Sequence, residues 1–100
     1  MATSKDYRDF VLEQFNLIDG ITCRAMMGEY LLYHNGLLFG GIYDERVLVK
    51  ITSTNQIFHL EEDIPYSGAK PMYFVSEMDN KELLKEIVLE TCKGLPLKKK

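Results

Sequence analysis

Residues 29–43 read EYLLYHNGLLFGGIY, two apolar and aromatic runs separated by an Asn-Gly pair. Asn35-Gly36 favours a type I′ hairpin turn, because both central residues of that turn need a positive φ. The runs on either side, Glu29–His34 and Leu37–Tyr43, contain the aromatic residues that are common in strands. The stretch therefore predicts an antiparallel β-hairpin.

The neighbouring segments extend this hairpin into a β-meander. One strand is predicted over 21–27, bent or interrupted at Gly28, and another over 47–52 after a turn at 44–46. Gly40 and Gly41 are typical of a bulge or of a close approach between elements. Residues 72–75 are typical of a final strand. The pattern thus predicts a sheet of four to five strands.

The N-terminal segment has the spacing of an amphipathic helix. Thr3 or Ser4 can cap this helix, Asp6 complements its dipole in the first turn, and Asp19-Gly20 can end it. The apolar positions recur at intervals of three, four and seven, which predicts one buried stripe. The stripe consists of Tyr7, Phe10, Val11, Leu17 and Ile18, widened by Leu12 and Phe15.

The C-terminal segment predicts a second amphipathic helix. Asp79 can cap it, with Glu82 three residues further on as in a capping box. Gly94 and Pro96 can stop it. Its predicted inner stripe is Leu83, Leu84, Ile87, Val88 and Thr91.

Residues 53–70 carry the weakest pattern. Ser53–Asn55 could cap a short helix that runs through Glu62, and Pro65 with Ser67-Gly68 marks a loop. The order helix, meander, irregular crossing, strand and helix predicts an α+β fold, an antiparallel sheet flanked by N- and C-terminal helices. We expect one domain over residues 1–97 and a basic tail over 98–100.

The charge balance restricts the classes of partner. The chain has 12 Lys and Arg against 15 Asp and Glu, a formal net charge of −3. DNA binding relies on basic side chains that displace counterions from phosphates, so autonomous DNA binding is not expected. No apolar run approaches the length of a membrane span and no signal peptide is visible, so we expect a cytoplasmic protein without membrane contact. Cys23 and Cys92 lack the spacing of a zinc site, and neither a metal nor a cofactor is expected.

The hairpin lies within a longer motif. Residues 24–39, RAMMGEYLLYHNGLLF, resemble the hallmark of the TfoX/Sxy N-terminal domain: Arg, a small residue, Met-Phe-Gly-Gly, and an aromatic-flanked hairpin with Asp or Asn before Gly at its tip. Here Met27 stands at the usual Phe and Glu29 at the usual second Gly. The resemblance continues through 48–50, 65–66 and 72–75 into a Leu-rich closing helix, and covers about residues 7–94.

This resemblance implies regulation rather than catalysis. Full-length members of the family regulate natural competence in bacteria, acting on transcription together with a cAMP-responsive activator, and they carry a second, helical C-terminal domain. We expect the present sequence of 100 residues to be a stand-alone form of the N-terminal module. Its expected partner is a protein, of which a transcription activator is one class, or a second copy of itself.

The hairpin region between Gly28 and Lys50, with Arg24 beside it, is the candidate contact surface. Arg24 could bind a carboxylate or phosphate of a partner, or pair internally with Glu29 or a helix acid. The strand tyrosines could stack on nucleobases, contact a protein partner, or pack in the core; they are Tyr30, Tyr33, Tyr43 and Tyr73. The candidate surface residues are Arg24, Met26, Gly28, Tyr30, Tyr33, Asn35, Gly36 and Lys50.

Two other classes of function stay open. One is a small-molecule-binding domain or minor enzyme with a pocket between the sheet and the helices, and the other is direct DNA binding. His34 and His59 have no evident acid partner in the sequence, and no nucleophile motif is present. We therefore predict no catalytic residue.

Overall fold

The computed structural model describes residues 3–95, which form a six-stranded antiparallel sheet and two α-helices. This confirms the α+β prediction, with more strands than expected. The elements are α1 (Lys5–Gln14), β1 (Ile21–Met26), β2 (Glu29–His34), β3 (Leu37–Tyr43), β4 (Arg46–Val49), β5 (Glu61–Asp63), β6 (Met72–Val75) and α2 (Lys81–Lys93). The predicted stop at Pro96 and the basic tail over 98–100 lie outside the described residues.

Three two-residue turns connect the first four strands into a meander. They are Met27–Gly28, Asn35–Gly36 and Asp44–Glu45, and both residues of each turn have positive φ. Turns of this kind match the right-handed twist of the strands that they join. The predicted Asn35–Gly36 turn is confirmed, whereas residue 27, which was expected in the first strand, belongs to the first turn.

The strand order is β1-β2-β3-β4-β6-β5. Between β2 and β3 the register shifts, so that Leu32 faces Gly40 while Tyr33 faces Leu38 and Phe39 is the extra residue of a bulge. This agrees with the bulge that the glycine pair predicts. The ring of Phe39 is fully buried on the side of the sheet where the helices lie.

Both helices pack on the same face of the sheet, which we call the helix face; the opposite side is the outer face. One hydrophobic cluster joins the two helices to the helix face, and the main core lies between them, while Leu48 and Tyr43 are buried on the outer face. The buried members of the cluster are Val11, Phe15, Ile18, Tyr30, Leu32, Phe39, Ile42, Val47, Val49, Tyr73, Val75, Leu84, Ile87 and Val88.

The first helix is shorter than predicted. Ser4 caps it, but it ends at Gln14, and residues 15–20 form turns. Phe10 and Leu17, predicted in the buried stripe, are 41% and 45% exposed. The helical period no longer applies after Gln14, which removes Leu17 from the stripe. Phe10 precedes buried Val11 by one residue, about 100° around the helix, and so lies on the flank of the stripe.

The prediction of a short helix that runs through Glu62 is wrong. A single 3₁₀ turn at Gln56–Phe58 ends at His59, whose φ is 53°. Residues 61–63 then form the edge strand β5, antiparallel to β6. Backbone groups that a helix would pair locally are therefore paired with another strand.

A buried polar cluster joins the end of β4 to α2. The side chain of Asn55 is fully buried, and its Oδ1 accepts a hydrogen bond from the N–H of Thr52 at 3.0 Å. Its Nδ2 donates to the carbonyl of Lys50 and to Oγ1 of Thr91, both at 2.8 Å. The strand predicted over 47–52 ends at Val49. The N–H of Lys50 still donates to the carbonyl of Phe39 in β3, but the carbonyl of Lys50 and the N–H of Thr52 bind the Asn55 side chain instead of a neighbouring strand.

The N-cap of the second helix lies one residue later than predicted. Asn80, rather than Asp79, caps it, and its Oδ1 accepts from the N–H of Leu83 at 3.0 Å. Glu82 consequently lies outside the capping-box position. The predicted inner stripe is confirmed, with Leu83 partly buried and its other members buried. Neither helix within residues 3–95 is long and apolar enough to cross a bilayer.

Candidate functional site

The outer face of the sheet consists of residues that lie opposite one another across the strands. Successive residues of a strand point to opposite faces, so the neighbours of the helix-face residues point outward. One row runs from β1 to β6 and contains Arg24, Leu31, Gly41, Leu48 and Phe74. A second row contains Thr22, Tyr33 and Leu38.

Arg24 lies exposed on the edge strand β1, opposite Leu31. Within residues 3–95 its guanidinium makes no hydrogen bond and no ion pair. The internal pair with Glu29 is not formed, because Oε1 of Glu29 accepts from the hydroxyl of Thr3 at 2.7 Å and from the N–H of Asp44 at 2.9 Å. Arg24 is thus a cation available for contact, beside the half-buried Leu31.

The structure separates several of the other candidate residues. Tyr33 is half-buried and Met26 is 41% exposed, and both belong to the outer face. Gly28 lies in the turn before β2, whereas Asn35 and Gly36 form the turn after it. These turns stand about 20 Å apart, at opposite ends of an extended six-residue strand. The two turns therefore do not form one contact site.

The prediction that Tyr30 belongs to the contact surface is wrong. It is only 8% exposed and belongs to the core of the helix face. The guanidinium of Arg8 lies 5.2 Å from its ring centroid, a cation–π contact between α1 and the sheet. Tyr30 and Tyr33 are three residues apart in one strand, and such residues point to opposite faces.

A pocket of about 610 Å³ lies on the outer face, beneath the segment 64–71 that connects β5 to β6. Its walls include Leu38, Tyr43, Tyr66 and Met72. Lys50, a member of the predicted surface, lines this pocket rather than the region around Arg24. Lys70 and Glu62 also line it.

The segment that covers this pocket is held by Arg46 at the start of β4. The guanidinium donates hydrogen bonds to Oδ2 of Asp63 at 2.8 Å, to the carbonyl of Ile64 at 3.2 Å and to the carbonyl of Pro65 at 3.3 Å. Pro65 is buried, and the ring centroid of Tyr66 lies 6.1 Å from that of Tyr43. One arginine therefore fixes the covering segment against the sheet.

A second depression, of about 490 Å³, lies between the β2–β3 turn and the end of α2. Residues 34–37 line one side, and Leu89, Cys92 and Lys93 line the other. A depression between the sheet and a helix is what the alternative hypothesis of a small-molecule-binding domain predicts. The pocket beneath segment 64–71 is larger and lies on the other face of the sheet.

Three groups near these sites have shifted pKa values. Burial, reinforced by the neighbouring Tyr66 and Glu29, raises the pKa of Tyr43. Burial raises the pKa of the Cys92 thiol to about 11. The pKa of Asp63 is lowered by the N–H of Ile64, which donates to the carboxylate, and by the guanidinium of Arg46. At neutral pH the phenol and the thiol therefore stay protonated, which suits binding rather than nucleophilic attack.

The described part of the chain brings no three His, Cys, Asp or Glu side chains together as a metal site requires. Among the described residues, the outer face offers apolar surface, two tyrosine rings at the pocket and cationic side chains that make no ion pair. The sequence patterns give no site role to Tyr66 or Lys70, which lie in the irregular segment 64–71. The signal for Tyr66 is its place in Pro65-Tyr66, one of the pieces that carry the family resemblance.

No protein-family model matches this sequence. The chain is 29% identical over 102 residues to a Spirochaeta aurantia protein described as an uncharacterized 12.7 kDa protein in the trpE 5′ region. The alignment covers 99% of this chain and 89% of that protein. The similarity neither supports nor contradicts the resemblance to the TfoX/Sxy N-terminal domain, which stays a prediction.

Proposed function

We propose that this chain is a non-enzymatic, cytoplasmic interaction module that binds a protein partner through the Arg24 side of its outer face. The observation that carries the proposal is the guanidinium of Arg24, which makes no ion pair with any residue of 3–95 and lies exposed beside the half-buried side chains of Leu31 and Tyr33. Arginine and tyrosine are enriched at protein interfaces, where they combine apolar contact with hydrogen bonds. The partner surface would supply a carboxylate for Arg24 and apolar side chains around it.

The resemblance to the TfoX/Sxy N-terminal domain supplies the class of partner. We propose a cAMP-responsive transcription activator, with a second copy of the chain as the alternative occupant of the same surface. A net charge of −3 favours a protein over DNA, since duplex binding needs a cluster of basic side chains.

The proposal is tested with the double variant Arg24→Ala/Tyr33→Ala. The purified activator is titrated onto immobilised chain, and sedimentation velocity of the chain alone over a concentration series reports self-association. The matched control is Lys85→Ala/Glu86→Ala, which changes two exposed residues of α2 on the other side of the molecule. Circular dichroism establishes that all variants fold.

We expect the Arg24/Tyr33 variant to weaken association by tenfold or more, since an interface arginine or tyrosine commonly contributes more than about 1 kcal/mol. The control should bind as the wild type does. Equal association of the folded double variant would exclude this surface. Binding of duplex DNA at low salt, with an affinity that falls steeply as salt rises, would favour the DNA alternative instead.

A further inference from the structure

We propose that the pocket beneath segment 64–71 binds a small organic anion with a flat, apolar body. This goes beyond the proposed partner contact, and it concerns different residues from those tested there. The pocket volume of about 610 Å³ lies within the range of about 300–1,000 Å³ found for small-molecule sites.

The apolar part of the ligand is indicated by the walls. Tyr43 and Tyr66 both line the pocket; the first is buried, at 7% exposed, and the second is 59% exposed. Their ring centroids are 6.1 Å apart and the ring planes are inclined by 58°. Leu38 and Met72 line the same space. Aromatic and aliphatic walls of this kind favour a planar apolar group.

The charge of the ligand is indicated by Lys50 and Lys70, which line the pocket. The ion pairs among residues 3–95 are made by Arg8, Arg46 and Lys93, so neither pocket lysine has a carboxylate within 4.0 Å. Glu62 also lines the pocket but pairs with neither lysine. Two unpaired ammonium groups beside apolar walls are complementary to a carboxylate, sulfonate or phosphate carried on an apolar body.

The pocket is also formed before any ligand arrives. Arg46 holds the start of the covering segment through its contacts with Asp63 and two backbone carbonyls. A turn closes further along, where the N–H of Ala69 donates to the carbonyl of Tyr66 at 3.0 Å. A wall fixed in this way does not have to be ordered on binding, which preserves affinity.

A pair of fluorescent probes tests the proposal. The anion 8-anilinonaphthalene-1-sulfonate has a planar apolar body, and N-phenyl-1-naphthylamine is the same molecule without the sulfonate. Both become brighter in an apolar site, so direct titration of the folded chain gives an affinity for each. We expect one saturable site per chain and tighter binding of the sulfonate.

Lys50→Gln/Lys70→Gln should weaken binding of the sulfonate by about tenfold per lysine, the scale of one charge-assisted hydrogen bond, and leave the neutral probe within about twofold. The control Lys81→Gln/Lys85→Gln removes the same charge from α2 and should change neither probe. Ala69→Trp, which fills the pocket, should weaken both.

Three results would overturn the proposal: no saturable binding of the sulfonate, equal loss of both probes in the pocket-lysine variant, or the same loss of sulfonate binding in the control. Cooperative thermal unfolding of every variant shows that the probes report a folded pocket. Because Arg24→Ala/Tyr33→Ala leaves the pocket lysines in place, its effect on partner binding is read separately from this outcome.

Discussion

Replacing Asn55 by alanine tests whether the buried polar cluster holds the end of the sheet to α2. The side chain is fully buried and makes three hydrogen bonds, to the N–H of Thr52, the carbonyl of Lys50 and the hydroxyl of Thr91. The backbone at Asn55 has φ −98° and ψ 4°, which alanine also adopts. Any loss of stability is therefore due to the side chain.

The magnitude follows from those three contacts. Each hydrogen bond contributes about 1 kcal/mol net, and a buried partner left without one costs about 1–3 kcal/mol. We expect Asn55→Ala to lower the free energy of unfolding by about 3–5 kcal/mol, a large part of the roughly 5–15 kcal/mol typical of a domain. Thr91→Val keeps the shape but leaves one N–H of Asn55 Nδ2 without its partner, so it should cost about 1–3 kcal/mol.

Urea unfolding followed by circular dichroism measures these differences. The double variant Asn55→Ala/Thr91→Val should be little less stable than Asn55→Ala alone, because the contact that Thr91→Val removes is already absent. Ser53→Ala, an exposed change in the same segment, should stay within about 0.5 kcal/mol of the wild type. A cost below about 1 kcal/mol for Asn55→Ala, or strict additivity in the cycle, would refute the reasoning.

Three further predictions concern the outer face and α2. Asp63 has a lowered pKa in the folded state, so its ionised form stabilises the fold above the ordinary carboxyl range, and this contribution is lost as the pH falls through the lowered pKa. The urea midpoint of the wild type should exceed that of Asp63→Asn at pH 7, and the difference should narrow as the pH falls below about 4; a difference that stays constant into strong acid would contradict this. Gly41→Ala would place a Cβ 2.7 Å from the carbonyl oxygen of Tyr30 and 2.7 Å from the ring of Tyr43, so we expect about 1–3 kcal/mol of destabilisation, seen as a lower melting temperature; an unchanged melting temperature would contradict these contacts. Cys92 should react slowly with iodoacetamide at pH 8 and faster as pH approaches about 11, and rapid alkylation at pH 8 would show that its thiol is not held as described.

The meander could be predicted because its signals are local. Asn35-Gly36 specifies a turn from two residues, and the alternating strands around it follow from a period of two. The bounds of α1 could not be predicted, because Leu17 and Ile18 continue a helical spacing that the backbone abandons at Gln14. Spacing reports which residues can share a face, and it does not report where hydrogen bonding stops.

The crossing over 53–70 could not be predicted because long-range contacts determine it. Asn55 is fixed by contacts that include Thr91, 36 residues away, and β5 exists only through its pairing with β6. For the same reason the candidate surface was only partly located: Arg24 and Tyr33 lie on the outer face, but Lys50 belongs to a pocket whose cover comes from that crossing. Tyr30 and Tyr33 cannot both belong to one contact surface, because the alternation of side chains along β2 already puts them on opposite faces of the sheet.

The position of β5 in the strand order determines how the pocket can open. This strand has three residues, and within the described chain it pairs only with β6, at the margin of the sheet. It can fray without unpairing any other strand, and marginal elements with few hydrogen bonds open at a lower free energy than a sheet interior. Segment 64–71 follows directly and is held by the Arg46 guanidinium, so fraying of β5 together with release of those contacts would carry the cover outward. Entry and exit of a molecule would then depend on this marginal pairing and on the Arg46 contacts, while the core on the helix face stays folded.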